Sequence, residues 1–529
     1  MQERPSASGS TGWLDRIERL GNRLPDPATL FALGAVFVML ASALAVGLDW
    51  SVEKTVSRGG ELVRENVTPT SLLGADGLYW ILRSMVRSFV DFPPLGVVLV
   101  GMLGIGVAEK SGFIGALLKA MMLAVPRPLL TPTMVFVGVL SSMGLDAGYV
   151  VLPPVAAALY ASVGRSPIAG LAAVFAGVSA GFGANLVVTS LDPLLAGLST
   201  ESARLLDPDY EVAATANLWF MIVSTFLLTG VGWAVTAAWV EPRFAGKPPE
   251  QGGPPRTAAN DEAARSLSAP ERGALAWAAL ALALGLGAVV AATWVEGAPL
   301  AGLDGPFPRW VAVIVPLLFL GFLVPGIVYG WRVGRIRSDR DVASMMSETM
   351  AGMGSYIVLA FFAAQFIAYF RHSGLGEMLA LSGGQALASA DLPPSLLMVG
   401  FVVVVIAANL MIGSMSAKYA FLAPVFVPMF MQVQISPELT QVAYRIGDSV
   451  SNVITPLNPY VVIVLVFMRR YVPSSGIGTL VALMLPYTVA YAVAWTALLI
   501  AWIALGLELG PAGPLDYSGV AAGLGAAAP

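Results

Sequence analysis

The chain has 529 residues, 57% of them hydrophobic and 12% charged, with a mean hydropathy of +0.77. A globular domain carries about a quarter charged residues, so this composition belongs to a polytopic membrane protein. A net charge of −4 gives no basic excess for nucleic acid, zero Cys excludes disulfides, thiolate metal sites and Cys nucleophiles, and a single His leaves almost no room for a Ser-His-Asp triad.

A polar stretch with Arg4, Arg16, Arg19 and Arg23 precedes the first apolar run, so 1–27 reads as a cytoplasmic segment and 28–48 as a retained membrane anchor. Residues 49–92 form a mixed-charge exterior segment ending in an amphipathic stretch, Leu78 to Phe92, that lies on the surface; 28–93 together read as scaffold. A span at 94–109 follows, then an interfacial piece from Gly112 to Val125 that contains Lys119. Residues 129–163 hold two short apolar arms around a polar tip, too short and broken for two crossings of about 20 residues each, and so read as a re-entrant hairpin. The next span, 168–196, is interrupted from Gly183 to Pro193 and closes a first repeat unit, 94–196. Scaffold helices at 214–240, 273–296 and 309–331 fill 197–353, where 241–272, with Pro248-Pro249 and Gly252-Gly253-Pro254-Pro255, reads as a flexible cytoplasmic linker. A span at 352–371, ending in Arg371-His372 with His372 solvated at the interface, opens a second unit, 354–468, which holds a second hairpin (395–434) and a second broken span (438–468). Residues 469–529 carry the last span, 477–508, and a Gly/Ala/Pro tail that reads as disordered from Gly510 onward. The expected fold is an all-α polytopic membrane protein with nine transmembrane helices plus two re-entrant hairpins.

Lys and Arg fix an orientation. Nineteen fall on the side of the N-terminus and eight on the other, which makes the N-terminal side cytoplasmic and leaves Lys418 and Arg445 within the membrane. The helix before each hairpin then runs in the opposite sense, so the two units form an inverted-topology repeat.

The repeat is visible in the residues. Asp146-Ala147-Gly148-Tyr149 through Pro154-Val155 returns as Ser416-Ala417-Lys418-Tyr419 through Pro424-Val425, 270 residues later. Ser166-Pro167 matches Ser436-Pro437 and Gly177-Val178-Ser179 matches Gly447-Asp448-Ser449 at the same shift; after a four-residue slip Thr189 to Pro193 matches Thr455 to Pro459. Gly, Pro, Ser and Asn repeated inside apolar segments are the pattern of a secondary transporter whose broken helices build a site at mid-bilayer.

Four polar pieces compose the candidate site. The hairpin tips supply Ser141, Ser142, Gly144 and Asp146, and Asn409, Gly413, Ser414 and Ser416; the breaks supply Asn185, Thr189, Ser190 and Asp192, and Asp448, Ser449, Ser451, Asn452 and Thr455. Freed carbonyls with Asn, Ser and Thr oxygens make a neutral hard-oxygen cage suited to Na⁺, so Ser142, Asp146, Asn185, Thr189, Asn409, Ser414, Ser449, Asn452 and Thr455 are ion candidates, with two cages related by the repeat. Taken singly, such residues are more often interhelical packing, and only their grouping at matched positions favours a site. A charge at bilayer centre costs roughly 3 kcal/mol or more. Arg445 and Asp448, three apart on one helix, can pair with each other, and Lys418 can snorkel; a cation left available would meet a substrate carboxylate. Asp192, ahead of Pro193, either caps a half-helix or carries a proton.

The runs Asn409 to Lys418, Leu422 to Met429, Tyr444 to Ser449 and Asn452 to Pro456, with Ala184-Asn185-Leu186 and Leu191 to Gly197, resemble the p-aminobenzoyl-glutamate transporter (AbgT) family over nearly the whole chain. The resemblance implies a homodimeric, multi-pass bacterial inner-membrane secondary transporter with a scaffold domain and a moving transport domain of elevator type. It implies an anionic aromatic substrate, p-aminobenzoyl-glutamate for uptake or sulfonamide-type antimetabolites for export, with Na⁺ or H⁺ as coupling ion, no other cofactor, and lipid around it. Substrate positions then fall on Asp192, Ser416, Tyr419, Pro437, Arg445 and Asp448, with Lys418 beside them, and ion roles on Asn185, Asn409, Ser449, Asn452 and Thr455. Tyr419 departs from the Trp usual in the family after Ser-Ala-Lys, which shrinks the aromatic face and adds a hydroxyl. Two other readings compete: a transporter of the same architecture for another carboxylate, such as a dicarboxylate, and an intramembrane aspartyl protease with Asp192 and Asp448 as its dyad. The second lacks the first Gly of the Gly-x-Gly-Asp pattern, having Arg445-Ile446-Gly447-Asp448.

Overall fold

The computed structural model describes residues 26–58, 61–144, 147–255, 267–305, 307–455, 457–458 and 460–518. The N-terminal segment to residue 25, the middle of the linker and Asp146 lie outside the described residues.

Helix α1 (Pro27–Gly47) starts where Asp26 accepts the Ala28 N–H at 2.9 Å and Pro27 takes the first helical position, where no N–H is needed. The exterior segment then holds an antiparallel pair, β1 (Val52–Arg58) and β2 (Glu61–Val67), in register Val52 to Val67. Sequence reading missed this pair, although Val and Thr on either side of Gly59-Gly60 carry a hairpin signal. The amphipathic stretch is α2 (Ala75–Val90). Its apolar side chains Tyr79, Leu82 and Val86 face outward, while Trp80 packs on Tyr369 and stacks flat on His372 at 3.7 Å. His372 is therefore a stacking partner at its helix end.

After α3 (Pro93–Lys110), the piece expected to be interfacial is α4 (Phe113–Leu123), and it is packed in: Phe113, Ile114, Leu118 and Met122 are buried. The first helix pair is α5 (Leu130–Leu140) and α6 (Ala147–Ser162). The first broken helix follows as α7 (Pro167–Phe175), a π turn (Ala176–Ala180), a non-helical stretch 181–190, and α8 (Leu191–Ala203). Helices α9 (Leu218–Val235), α10 (Ala269–Trp294) and α11 (Ile314–Arg332) lead to a capped helix, α12 (Asp339–Gly352), and then α13 (Gly354–His372) and α14 (Leu375–Ser389). The second set is α15 (Pro394–Asn409), α16 (Met415–Met431), α17 (Pro437–Ser451) and α18 (Tyr460–Arg469), and α19 (Ile477–Ala504) is last.

Among the described residues seven helices are long and apolar enough to cross a membrane. The other two expected crossings are the broken helices, in which no single helix reaches that length.

The two sets are built alike. Ser166 and Ser436 each accept the N–H three residues on, Ala169 at 3.3 Å and Leu439 at 3.0 Å, ahead of Pro167 and Pro437 at the first helical position. Every residue of α7 and α17 is buried, which places these two half-helices at the centre of the core. Their distal halves are exchanged: α8 packs on α16, and α18 on α6, where Tyr149 stacks on Tyr460 at 4.0 Å. The breaks interlock as well. Gly183 N–H donates to Ser449 Oγ at 2.9 Å, and Asn458 Nδ2 donates to Ser179 Oγ at 3.2 Å and to the Asn452 carbonyl at 2.9 Å.

A matched close approach joins each helix pair to its broken helix. A Cβ at Gly177 would lie 2.9 Å from Gly138 Cα, and one at the repeat mate Gly447 would lie 2.7 Å from Val405 Cβ, so backbone meets its neighbour directly at both.

Two straps close the serine joints. The chain after α9 returns to the first joint, where Ser166 Oγ donates to the Gly252 carbonyl at 2.6 Å. The chain after α19 returns to the second, where Ser436 Oγ donates to Pro514 O at 2.7 Å, Ser436 N–H to Leu515 O at 3.1 Å, and Tyr517 N–H to Gln434 O at 2.9 Å. The tail expected to be disordered from Gly510 is thus ordered through 518, because its backbone groups bond the end of the helix pair and the start of α9, where Phe220 N–H reaches Leu509 O.

Candidate functional site

A small cavity, with room for about one water molecule, lies against the first break, lined by Ser142, Asn185, Thr189, Asp192 and Arg445 together with Phe182, Gly183, Leu218 and Met221. Five residues proposed from sequence thus meet on one wall, brought there by the first tip, the first break and α17.

Arg445 is almost fully buried, its side chain 3% exposed, and Nη2 contacts Asp192 Oδ1 at 2.5 Å. Asp192 Oδ2 accepts the Thr189 N–H at 2.6 Å and the Thr189 hydroxyl at 2.9 Å. Of the two roles left open for Asp192, the geometry displays the first: one oxygen ties down the turn before α8, while the other faces the guanidinium. Arg445 Nε has no hydrogen-bond partner although it is buried. An unpaired buried donor is costly, so this nitrogen is a point of demand for an acceptor beside the ion pair.

The pairing expected along α17, Arg445 with Asp448, does not form. Asp448 Oδ1 instead meets Lys418 Nζ at 2.6 Å, both side chains at or near zero exposure, so Lys418 does not snorkel either. The reason lies in the tertiary fold, because α16 and α8 both pack against α17 and each supplies a counter-charge of its own. With each carboxylate facing a cation, Asp192 and Asp448 do not form a dyad.

Asn185 Nδ2 donates to Ser142 Oγ at 2.7 Å, and its Oδ1 accepts the Leu186 N–H at 2.8 Å, so the first tip is tied to the first break through neutral oxygens. The second tip is organised differently. Asn409 Nδ2 donates to the Asp448 carbonyl and Ser451 Oγ, each at 2.8 Å, and to Asn452 Oδ1 at 2.9 Å, while its Oδ1 contacts the Lys418 ammonium. The set around Asn409 therefore already contains a cation of the chain's own. Ser414 caps α16 through the Ala417 N–H and lies 3.3 Å from Ser416, Thr455 accepts the Leu457 N–H at 3.4 Å, and Ser449 is taken up by Gly183. Among the described residues no cluster of three or more His, Cys, Asp or Glu is placed to hold a metal.

Tyr419 does not line the cavity. It is fully buried, its hydroxyl lies 2.6 Å from Ser199 Oγ, and its ring meets Tyr444 with centroids 4.3 Å apart. Ser199 also donates to Gln441 Oε1 at 3.0 Å. Sequence reading missed Ser199 and Gln441, yet helical spacing carries the signal: Ser199 is two turns from Asp192, and Gln441 one turn from Arg445.

A family model described as the AbgT putative transporter family matches residues 12–517. The p-aminobenzoyl-glutamate transport protein of Escherichia coli (strain K12) is 34% identical over 515 residues, covering 97% of this chain and 98% of that protein. The crystal structure of the Alcanivorax borkumensis YdaH transporter superposes with a TM-score of 0.86 at 44% identity, over 92% of this chain and 100% of that one. Neisseria gonorrhoeae MtrF, described as illuminating a class of antimetabolite efflux pumps, superposes with a TM-score of 0.87 at 39% identity, over 95% and 100%.

Proposed function

Because the chain belongs to the AbgT putative transporter family, whose members are transporters and not enzymes, we propose that it moves p-aminobenzoyl-glutamate, sulfonamide-type antimetabolites or both across a bacterial inner membrane, coupled to Na⁺ or H⁺. One observation carries the substrate assignment: Arg445, whose buried Nε has no partner, is among the residues that line the cavity at the first break. p-Aminobenzoyl-glutamate offers carboxylates to that donor, and charge-assisted Arg–carboxylate bonds are among the strongest a site can make.

For a coupling cation we assign the neutral oxygens of Ser142, Asn185 and Thr189 with the free carbonyls of the break, which line one cavity with the Asp192 carboxylate. Nine crossings, counting both broken helices, with the two helix pairs entering from opposite faces and the N-terminus in the cytoplasm, agree with the charge bias. The interlocked breaks and exchanged half-helices favour an elevator in which both units travel as one body; the homodimer is proposed from the family resemblance.

Flux of radiolabelled p-aminobenzoyl-glutamate and a sulfonamide into proteoliposomes, with Na⁺ and proton gradients imposed separately, tests the reading. Gradient-driven transport that Arg445→Ala abolishes is the expected result. Uptake unchanged by that substitution removes the assigned anchor, and displacement by succinate in preference to p-aminobenzoyl-glutamate moves the substrate to the dicarboxylates.

A further inference from the structure

The ion pair in the cavity wall is not demanded by the fold. At the 270-residue register Arg445 corresponds to Phe175, and after the slip Asp192 corresponds to Asn458. Both mates are buried in the same architecture without a charge. A buried ion pair is weak evidence for stability, since well-packed neutral residues often serve as well. Its presence in one unit alone points to use.

The fork of the guanidinium says what use. Nε and Nη2 share one edge, the edge that grips a carboxylate through two parallel N–H bonds. Here Asp192 Oδ1 holds Nη2 at 2.5 Å and Nε has no partner. A substrate carboxylate that takes both nitrogens brings a second negative charge against Asp192 Oδ1 at Nη2, and the repulsion pushes that oxygen aside. The evicted group has somewhere to stay, because its other oxygen remains held by the N–H and hydroxyl of Thr189.

We infer that Asp192 is a resident competitor for the substrate carboxylate, holding Arg445 until an anionic substrate displaces it. The inference rests on Arg445 being the substrate anchor. Asp192 is then a specificity-determining residue that weakens binding: apparent affinity falls in proportion to the fraction of molecules whose guanidinium is free. It also sharpens selection, because a neutral ligand gains too little to displace a carboxylate from a guanidinium. Once displaced, Asp192 faces the oxygens of Ser142 and Asn185 with no counter-charge, so substrate entry raises the demand of this wall for a cation.

The test is the sign of an affinity change. Binding of p-aminobenzoyl-glutamate and of neutral p-aminobenzamide is measured by calorimetry on the full-length protein in nanodiscs, for wild type, Asp192→Asn and Arg445→Ala. Asp192→Asn is expected to bind the carboxylate at least about fivefold tighter, a modest coupling between sites, with the amide unchanged. Asp192→Ser, whose hydroxyl can still accept the Thr189 N–H, covers failure of the Asn variant to fold. Weaker or equal carboxylate binding in the variant that folds overturns the competitor role, as does equal tightening for both ligands, which is the mark of a loosened pocket. Retained binding in Arg445→Ala overturns the anchor itself and is a separate outcome.

Discussion

Lys418 and Arg445 lie on different helices, and each is neutralised by a carboxylate from another: Asp448 of α17 for the first, Asp192 of α8 for the second. Removing one partner of such a pair leaves a bare charge in an apolar interior, at about 3–5 kcal/mol, whereas replacing both can be nearly neutral. Lys418→Met is therefore expected to lower thermal stability in nanodiscs sharply, and Lys418→Met with Asp448→Leu to recover most of the loss. The choice of partners was not legible in the sequence, because a spacing of three along α17 favours Arg445 with Asp448 and nothing local announces that α8 and α16 both pack against that helix. A helix cap outside the apolar spans gives the pH prediction. Asp341 accepts the Arg337 and Ser338 N–H groups at 2.7 and 2.9 Å, and these bonds hold its carboxyl below the usual range. A depressed folded value means that the cap contributes fully above the unfolded value and is lost as pH falls through the folded one. Amide exchange in the first turn of α12 should accelerate, relative to its intrinsic rate, below about pH 4, near the ordinary carboxylate value, and Asp341→Asn should flatten that dependence.

Elements were the most legible level. Apolar runs located the long helices, and Gly and Pro located the first break, because helix interruption has a local chemical cause; the second, read from Gly447 to Pro456, begins only at Asn452, since α17 runs through Gly447 to Ser451. The β1–β2 pair was missed for lack of a long periodic signal, and α4 was read as interfacial because one Lys outweighed its buried Phe113, Ile114, Leu118 and Met122. The repeat also predicts equivalence under mutation. Gly177 and Gly447 both face neighbouring helix atoms at distances that leave no space for a Cβ. Gly177→Val and Gly447→Val should each overpack a helix contact at about 1–3 kcal/mol or more, read as loss of monodisperse protein in size-exclusion chromatography. Gly230→Val, where a Cβ meets open space, should be silent.

For the whole molecule, composition misled at the straps. Gly and Pro in 246–255 and 510–514 read as linker and loose tail, yet each segment spends its backbone groups on a serine joint of the core. Ser166→Ala and Ser436→Ala each remove a cap and a strap bond, so losses of about 1–2 kcal/mol, equal within error, are expected in thermal unfolding; deleting 509–518 should cost more than Ser436→Ala, since several backbone bonds go with it. The matching straps extend the likeness of the two halves. Each follows the helix after a broken helix, so what recurs is longer than the motif that reveals it and includes a closing peptide. With closure alike in both halves, what sets them apart is what they carry: Arg445 stands in one where Phe175 stands in the other.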